Sequence, residues 1–472
     1  MHLISPYAKF SPAIRDVINN PCPVSTIPIE LLQEIFAFSV TKRSAPRIRV
    51  SVSRDELEPP GFLATALILT WVCSQWRQIS LSMPELWGTM TIYNPKKPCV
   101  ELTKVYLSRS GNVTPLNLHL RQEARPDNRT YPNPETCPEH RATVEIFKLW
   151  VPQAHRWRSI SLELSYTPPS YELPKIPANV LCSLQKADLR FREKPRHSDI
   201  VIGALWENIF QSPLLRTAYW FDLPHALLSA PFSQLSEFKL SHSAADEVLS
   251  VLSSCPHLKR LDVIIPFESG VHQIPSESDI ILPFLECLYL RGREHPRILG
   301  RLSAPALREL RVTDTCETPF AEVDSLERFL HRSCCTLKAL RLMRGRRGGE
   351  NAVFEYFTRA SRHLASLEDL DLDWSMLSER VISLFSPGTI NNVLSVPFPH
   401  LIDLELCDCV AEDGMISSMV ESRAAAGSPL WAFVCTAAYG PSNSTGYSKD
   451  EAALQRLMQD GLHLCWCQLH EI

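Results

Sequence analysis

Four groups of residues have the types and spacing for chemistry. Asp369, Asp371 and Asp373 alternate with Leu370 and Leu372, so a strand there turns three carboxylates to one face. Such a face could bind a divalent cation or supply a nucleophilic carboxylate of the phosphatase kind. Cys407-x-Cys409 and Cys465-x-Cys467, with Cys137-Pro138-Glu139-His140, offer thiolates and an imidazole to zinc. Arg341, Arg344, Arg346 and Arg347, followed by Gly348-Gly349, could grip phosphate on nucleic acid or on a phosphorylated protein. Trp71, Trp76 and Trp87 bring three indoles to one short N-terminal stretch, as an aromatic ligand box would.

Each group has a plainer reading, and in each case it is the expectation. The aspartates suit the solvent face of a strand, and the arginines a solvated turn after one. The cysteine pairs lack the C-x-x-C knuckles of a structural zinc site, and the indoles suit a packed helical core. The chain has no G-x-S-x-G, no H-E-x-x-H, no P-loop and no G-x-G-x-x-G, which are the motifs that place a nucleophile, a metal or a phosphate. The sequence therefore predicts no catalytic residue, no metal and no cofactor.

The elements that would carry these groups come from a chain of 472 residues, 45% hydrophobic and 21% charged. That balance excludes a disordered or collagen-like chain. Thirty-seven prolines against sixteen glycines describe many stops and few phosphate-cradling turns. A net charge of −4 provides no global field for nucleic acid or an anionic membrane, so neither is expected as a partner. No apolar run approaches the length of a spanning helix, and Met1 to Pro23 lacks the apolar core of a secretory signal. Fifteen cysteines then read as reduced thiols in a cytoplasmic and/or nuclear protein.

Helical patterning begins at Pro28, which suits a first turn, with Glu30 beside the positive helix end. Leu31, Leu32, Ile35 and Phe36 follow as an apolar stripe. Leu69, Val72, Cys73, Trp76 and Ile79 mark a second stripe, and Pro84-Glu85-Leu86-Trp87 closes the unit. Thr41 to Pro60 between them, charged and proline-bearing, reads as an inserted loop. So small a unit has little interior for all these apolar groups, and some of that surface is expected to meet a partner.

Three successive segments here resemble an F-box: Ile27-Pro28-Ile29-Glu30-Leu31-Leu32-Gln33-Glu34-Ile35-Phe36, then Val72-Cys73-Ser74-Gln75-Trp76-Arg77-Gln78-Ile79, then Pro84-Glu85-Leu86-Trp87. The resemblance implies a three-helix module that docks on the Skp-type adaptor of an SCF (Skp, cullin, F-box) ubiquitin ligase and, through it, meets the cullin and RING subunits. Pro28, Leu31, Leu32, Ile35, Phe36, Val72, Cys73 and Trp76 would touch the adaptor or shape the contact. The insertion at Thr41 to Pro60 is longer than in compact members. With the Ser82-x-Pro84-x-Leu86-Trp87 ending, it resembles the large group of F-box proteins in mushroom-forming fungi.

Beyond this unit an irregular repeat of the form L-x-x-L-x-L recurs with leading positions Leu184, Leu215, Leu235, Leu258, Leu285, Leu307, Leu337, Leu367 and Leu401, twenty to thirty-four residues apart. Such spacing is that of leucine-rich repeats. The last two apolar positions of each motif face one side of a short strand, and helix-like stretches such as Ala245 to Leu252 and Val323 to Arg332 lie between. Leu116-x-Leu118-x-Leu120 and Trp157-x-x-Ile160-x-Leu162 extend the array backwards, with Arg121 to His140 a loop between them. Leu430 to Cys435 and Lys449 to Leu462 read as a last strand and a capping helix.

The predicted fold is thus α/β: a tail over residues 1–24, a helical F-box over 25–90 with its insertion at about 41–60, and a leucine-rich-repeat-like solenoid with a curved parallel sheet over 91–472. The predicted function is non-catalytic: a receptor subunit that recruits a protein target to an SCF ligase. The alternative is a repeat scaffold that never enters a ligase. Strand alternation nominates the target surface as Tyr289 and Arg291, then Arg311, then Arg341, then Asp369, Asp371 and Asp373, then Asp403 and Glu405. Read this way, a basic stripe of three arginines precedes an acidic one, and a target segment lies across the boundary.

Overall fold

The computed structural model describes residues 27–41, 61–63, 65–122, 137–165, 176, 179–191, 199–221, 232–241, 244–265, 279–292, 294–314, 320–344, 354, 357, 363–390, 393–427, 430–438, 447–459 and 461–469. The tail over residues 1–24, most of the insertion, the centre of the Arg121 to His140 loop and the arginines after Arg344 lie outside them. The chain is a mixed α/β protein with a large parallel sheet, and it divides into two compact units, Met1–Ile176 and Pro177–Ile472.

The first unit opens with helices α1 (Ile29–Thr41), α2 (Thr65–Val72) and α3 (Ser74–Ser82). The single stripe expected from Leu69 to Ile79 is two helices, because Cys73 is extended (φ −158°) and its thiol caps α3 by accepting the Trp76 N–H at 3.4 Å. Pro84–Trp87 forms a 3₁₀ turn that leads into strand β2 (Thr89–Tyr93), which pairs antiparallel with β1 (Gly61–Leu63). Helices α4 (Lys97–Arg109) and α5 (Pro138–Trp150) are the crossovers to β3 (Leu116–Arg121) and β4 (Trp157–Leu164), and β2, β3 and β4 pair in parallel. His140, assigned from sequence to a loop, lies in α5, whose start Pro138 favours. Trp87 and Trp157 enter their strands alike: each indole is buried and donates to a carbonyl seven residues back, Ser80 and Trp150.

The second unit runs through β5 (Lys186–Phe191), α6 (Asp199–Phe210), β6 (Thr217–Phe221), β7 (Glu237–Ser241), α7 (Ala245–Leu252), β8 (Arg260–Ile265) and β9 (Ile280–Ile281). Next come β10 (Cys287–Gly292), α8 (His295–Leu299), β11 (Leu302–Ser303), β12 (Glu309–Asp314), α9 (Phe320–Ser333), β13 (Ala339–Arg344), β14 (Asp369–Ser378) and α10 (Glu379–Ser383). The chain ends with β15 (Gly388–Ile390), β16 (Val393–Ser395), β17 (Asp403–Val410), α11 (Met415–Ala425), β18 (Ala432–Ala438), α12 (Ser448–Gln459) and β19 (His463–Leu469). Strands β9 and β11 pair with each other, as do β15 and β16. The others form one ladder in chain order, each parallel to the next.

Sequence dictates this ladder through one repeated turn. The leading leucine of a motif donates its N–H to the carbonyl three residues back in Leu184, Leu215, Leu235, Leu258, Leu285, Leu307, Leu367 and Leu401. In five of these turns a proline stands second, at Pro213, Pro256, Pro283, Pro305 and Pro399, where its fixed φ is already correct. Every leading leucine is fully buried, as are the apolar positions that follow, and the strand register stacks them: Leu261, Leu288, Leu310, Leu340, Leu370 and Leu404 are successive partners. Burial of each such side chain stabilises by about 1.5–3 kcal/mol.

One strand end tolerates no side chain. Gly292, at φ +107°, closes β10 where a Cβ would overlap the Ile265 carbonyl oxygen of β8. Gly292→Ala is expected to cost on the order of 3 kcal/mol, from strain plus displaced backbone, and to lower the urea midpoint of the second unit. Gly111→Ala, at φ +64° with open space around the Cβ, is the control and should cost about 1 kcal/mol.

Candidate docking surfaces

The apolar residues of α1 divide between two faces. Leu32 and Phe36 are 1% and 0% exposed, and the Phe36 ring lies 4.8 Å from that of the half-buried Trp76. Leu31, Ile35 and Phe38, spaced four and three residues apart on the opposite stripe, are exposed. On α2, which packs on α1, Ile68, Trp71 and Val72 are exposed in the same way, Trp71 by 67%. Of the eight predicted adaptor-contacting residues, Leu31, Ile35, Val72, Pro28 and Cys73 are therefore at the surface, while Leu32 and Phe36 hold the helices together. Pro28 stands just ahead of α1, and its carbonyl accepts the Leu32 N–H at 3.1 Å. The three indoles also separate: Trp87 is core, Trp76 half-buried and Trp71 surface.

In the second unit the outward residues of the ladder form rows. One row runs Asp188, Tyr219, Lys239, Asp262, Tyr289, Arg311, Arg341, Asp371, Glu405. A parallel row two residues earlier includes Glu237, Arg260, Cys287, Glu309, Ala339, Asp369 and Asp403. Neighbouring strands lie about 4.8 Å apart, so adjacent charges interact strongly. Arg311 donates through Nε and Nη2 to Glu309, which also accepts the Tyr289 hydroxyl at 2.8 Å. Lys239 pairs with Asp262 at 2.8 Å, and Arg341 with Asp369 at 3.0 Å and Asp371 at 3.7 Å. The Tyr289 ring lies between the Arg260 and Arg311 guanidinium groups, 5.4 and 4.6 Å from its centre.

The expected basic stripe is interrupted. Arg311 and Arg341 are register partners, but Arg291 aligns with Ile264 and Thr313 on a third row, its guanidinium 3.7 Å from Asp262. Asp369, Asp371 and Asp373 do share one face, beside Asp403, Glu405 and Cys407, but Asp371 is buried rather than solvent-facing because Arg341 and the neighbouring strands cover it. Sequence reading stopped short of Arg260 and Asp262, although the same alternation applied to Leu258-x-x-Leu261-x-Val263 yields both.

The field on this face changes along the strands. Burial raises the Glu309 carboxyl, but hydrogen bonds from Tyr289 and Arg311 and the charges of Arg311 and Arg341 outweigh it and hold its pKa below the usual range. Asp403 moves the other way, raised by burial and by the charge of Asp369. Burial and the charges of Asp373, Glu405 and Asp371 push the Cys407 thiol up to about 12. Among the described residues no three His, Cys, Asp or Glu side chains are grouped so as to hold a metal ion. Cys137 and His140 serve α5 instead, the thiol donating to Glu139 at 3.3 Å and the imidazole buried.

No known family model matches the chain, and no curated protein matches it.

The opposite shifts of Glu309 and Asp403 set opposite pH effects. A carboxyl whose folded pKa is depressed stabilises above its unfolded pKa near 4.3, and that stability is lost as pH falls. A raised carboxyl instead costs stability once pH exceeds its unfolded value. Glu309→Gln should therefore lower and Asp403→Asn raise stability at pH 7, each by about 0.5–1 kcal/mol. Urea titrations should show both differences shrinking towards pH 3.

Proposed function

We propose that the chain is the substrate-recognition subunit of an SCF-type E3 ubiquitin ligase. In this reading α1 to α3 are the F-box that docks on a Skp-type adaptor, and through it on the cullin and RING subunits. The ladder of the second unit is a leucine-rich-repeat solenoid that holds a protein target. The site of action is the cytoplasm and/or the nucleus.

One observation carries the reading: Leu31, Ile35 and Val72, which match adaptor-facing positions of the F-box signature, are each about half exposed while their neighbours Leu32 and Phe36 are buried. Two packed helices that leave Leu31, Ile35, Phe38, Ile68, Trp71 and Val72 to water keep an apolar patch that a lone domain would bury. An adaptor that covers it supplies the missing core. The chain's own contribution to ubiquitin transfer is proximity. A target held beside a conjugating enzyme reacts at a raised effective concentration, and the bond-making groups belong to the partners.

The test is co-purification of the Skp-type adaptor with wild type and with Leu31→Asp plus Ile35→Asp. Both side chains are exposed, so the thermal midpoint should hold while adaptor recovery falls at least tenfold, about 1.4 kcal/mol or more. Undiminished recovery would overturn the assignment.

A further inference from the structure

The outward face of the ladder carries charge of both signs, mixed and paired on strands β7 to β13 and wholly acidic on β14 and β17. On strands β7 to β12 the outward cations Lys239, Arg260, Arg291 and Arg311 meet the carboxylates Glu237, Asp262 and Glu309, a slight positive excess. Strands β14 and β17 carry no lysine or arginine at all, and their outward positions bear Asp369, Asp371, Asp373, Asp403 and Glu405. Arg341 on β13 is the boundary, with its guanidinium turned to Asp369 and Asp371.

The geometry points to an extended polypeptide segment laid across the strands, its acidic end over Arg291 and Arg311 and its basic end over Asp373, Asp403 and Glu405. Charge complementarity selects this occupant. Arg291 and Arg311 keep 47% and 30% of their side-chain surface exposed, and a guanidinium has five donors, more than the Asp262 and Glu309 contacts use. On the other half, Asp403 is exposed beside Asp369 in the register, a like-charge pair that a lysine or arginine would relieve. The midpoint of Arg291 and Arg311 lies three strand steps, roughly 14 Å, from that of Asp373 and Glu405. An extended chain rises about 3.3 Å per residue, so the acidic and basic blocks of the ligand are separated by about four residues. A uniformly charged segment satisfies only one half, and an uncharged one neither. This inference rests on the proposed function only in naming the ligand a substrate; the binding itself requires no adaptor.

The probe is a fluorescent peptide with a glutamate block, a short glycine spacer and a lysine block, compared by anisotropy with a peptide of the same composition in which the charges alternate. The full chain is expected to bind the segregated peptide at least ten times more tightly. Binding should weaken at least tenfold between about 0.05 and 0.5 M salt. Asp403→Lys with Glu405→Lys should reduce it tenfold or more while the thermal midpoint stays near that of wild type. If this variant does not fold, the salt dependence and the peptide comparison in wild type decide alone. Equal affinity for the two peptides, or binding indifferent to salt, would overturn the inference. Leu31→Asp with Ile35→Asp is expected to leave peptide affinity unchanged, so failure of the adaptor assay and failure of this one fall on different surfaces.

Discussion

In the second unit a buried leucine closes the turn on the carbonyl three residues back in eight of the nine motifs, and the next residues are thereby delivered in register to the strand before. Everything on the outward face depends on that registration. A parallel strand has no hairpin to set its alignment, and a slip of one residue would exchange its inward and outward sets. The cost of such a slip is several buried leucines per strand, about 1.5–3 kcal/mol each. Register is thus enforced mainly from the core side, and the outward positions are freer to vary.

That freedom has an electrostatic limit, because strands about 4.8 Å apart place side chains of one row nearly in contact. Over much of the face the sequence answers by alternating sign, as in Lys239 with Asp262, Glu309 with Arg311, and Arg341 with Asp369. At β14 and β17 it does not, and Asp369 faces Asp403 while Asp371 faces Glu405. Like charges are neighbours there, with Arg341 bonded to Asp369 and Asp371 at the edge of the group, and such departures from local rules in natural proteins concentrate where function is served.

Much of this was legible in the sequence. The L-x-x-L-x-L motif found the strands because it states which residues are buried, and alternation then placed Asp369, Asp371 and Asp373 together. Arg291 was harder. Its motif places it correctly outward, but six residues after the leading leucine where Arg311 stands four after its own, so the motif already aligned it with Thr313 and the stripe overlooked that offset. The break between α2 and α3 was hidden because Cys73 fits a helical apolar stripe equally well, and its extended backbone is set by the cap it makes to Trp76. The prolines were read as stops, when five of them pre-shape the turns before strands.

The N-terminal helices follow the reverse logic from the ladder. In α1 a single residue step separates Leu31 from Leu32 and Ile35 from Phe36, a rotation of about 100°, and each pair thereby gives one side chain to the core and one to water. Periodicity alone could not choose between them, because four large apolar groups make a stripe wide enough to be wholly core. Packing chooses: the Phe36 ring against Trp76 orients the helix, and once that contact is made Leu31 and Ile35 must point outward. An exposed pair fixed by a buried pair is a rigid apolar surface, which loses little conformational entropy when it is covered. Polar substitution at the exposed pair leaves that contact standing, so in α1 the surface that meets a partner is separable from the core that supports it.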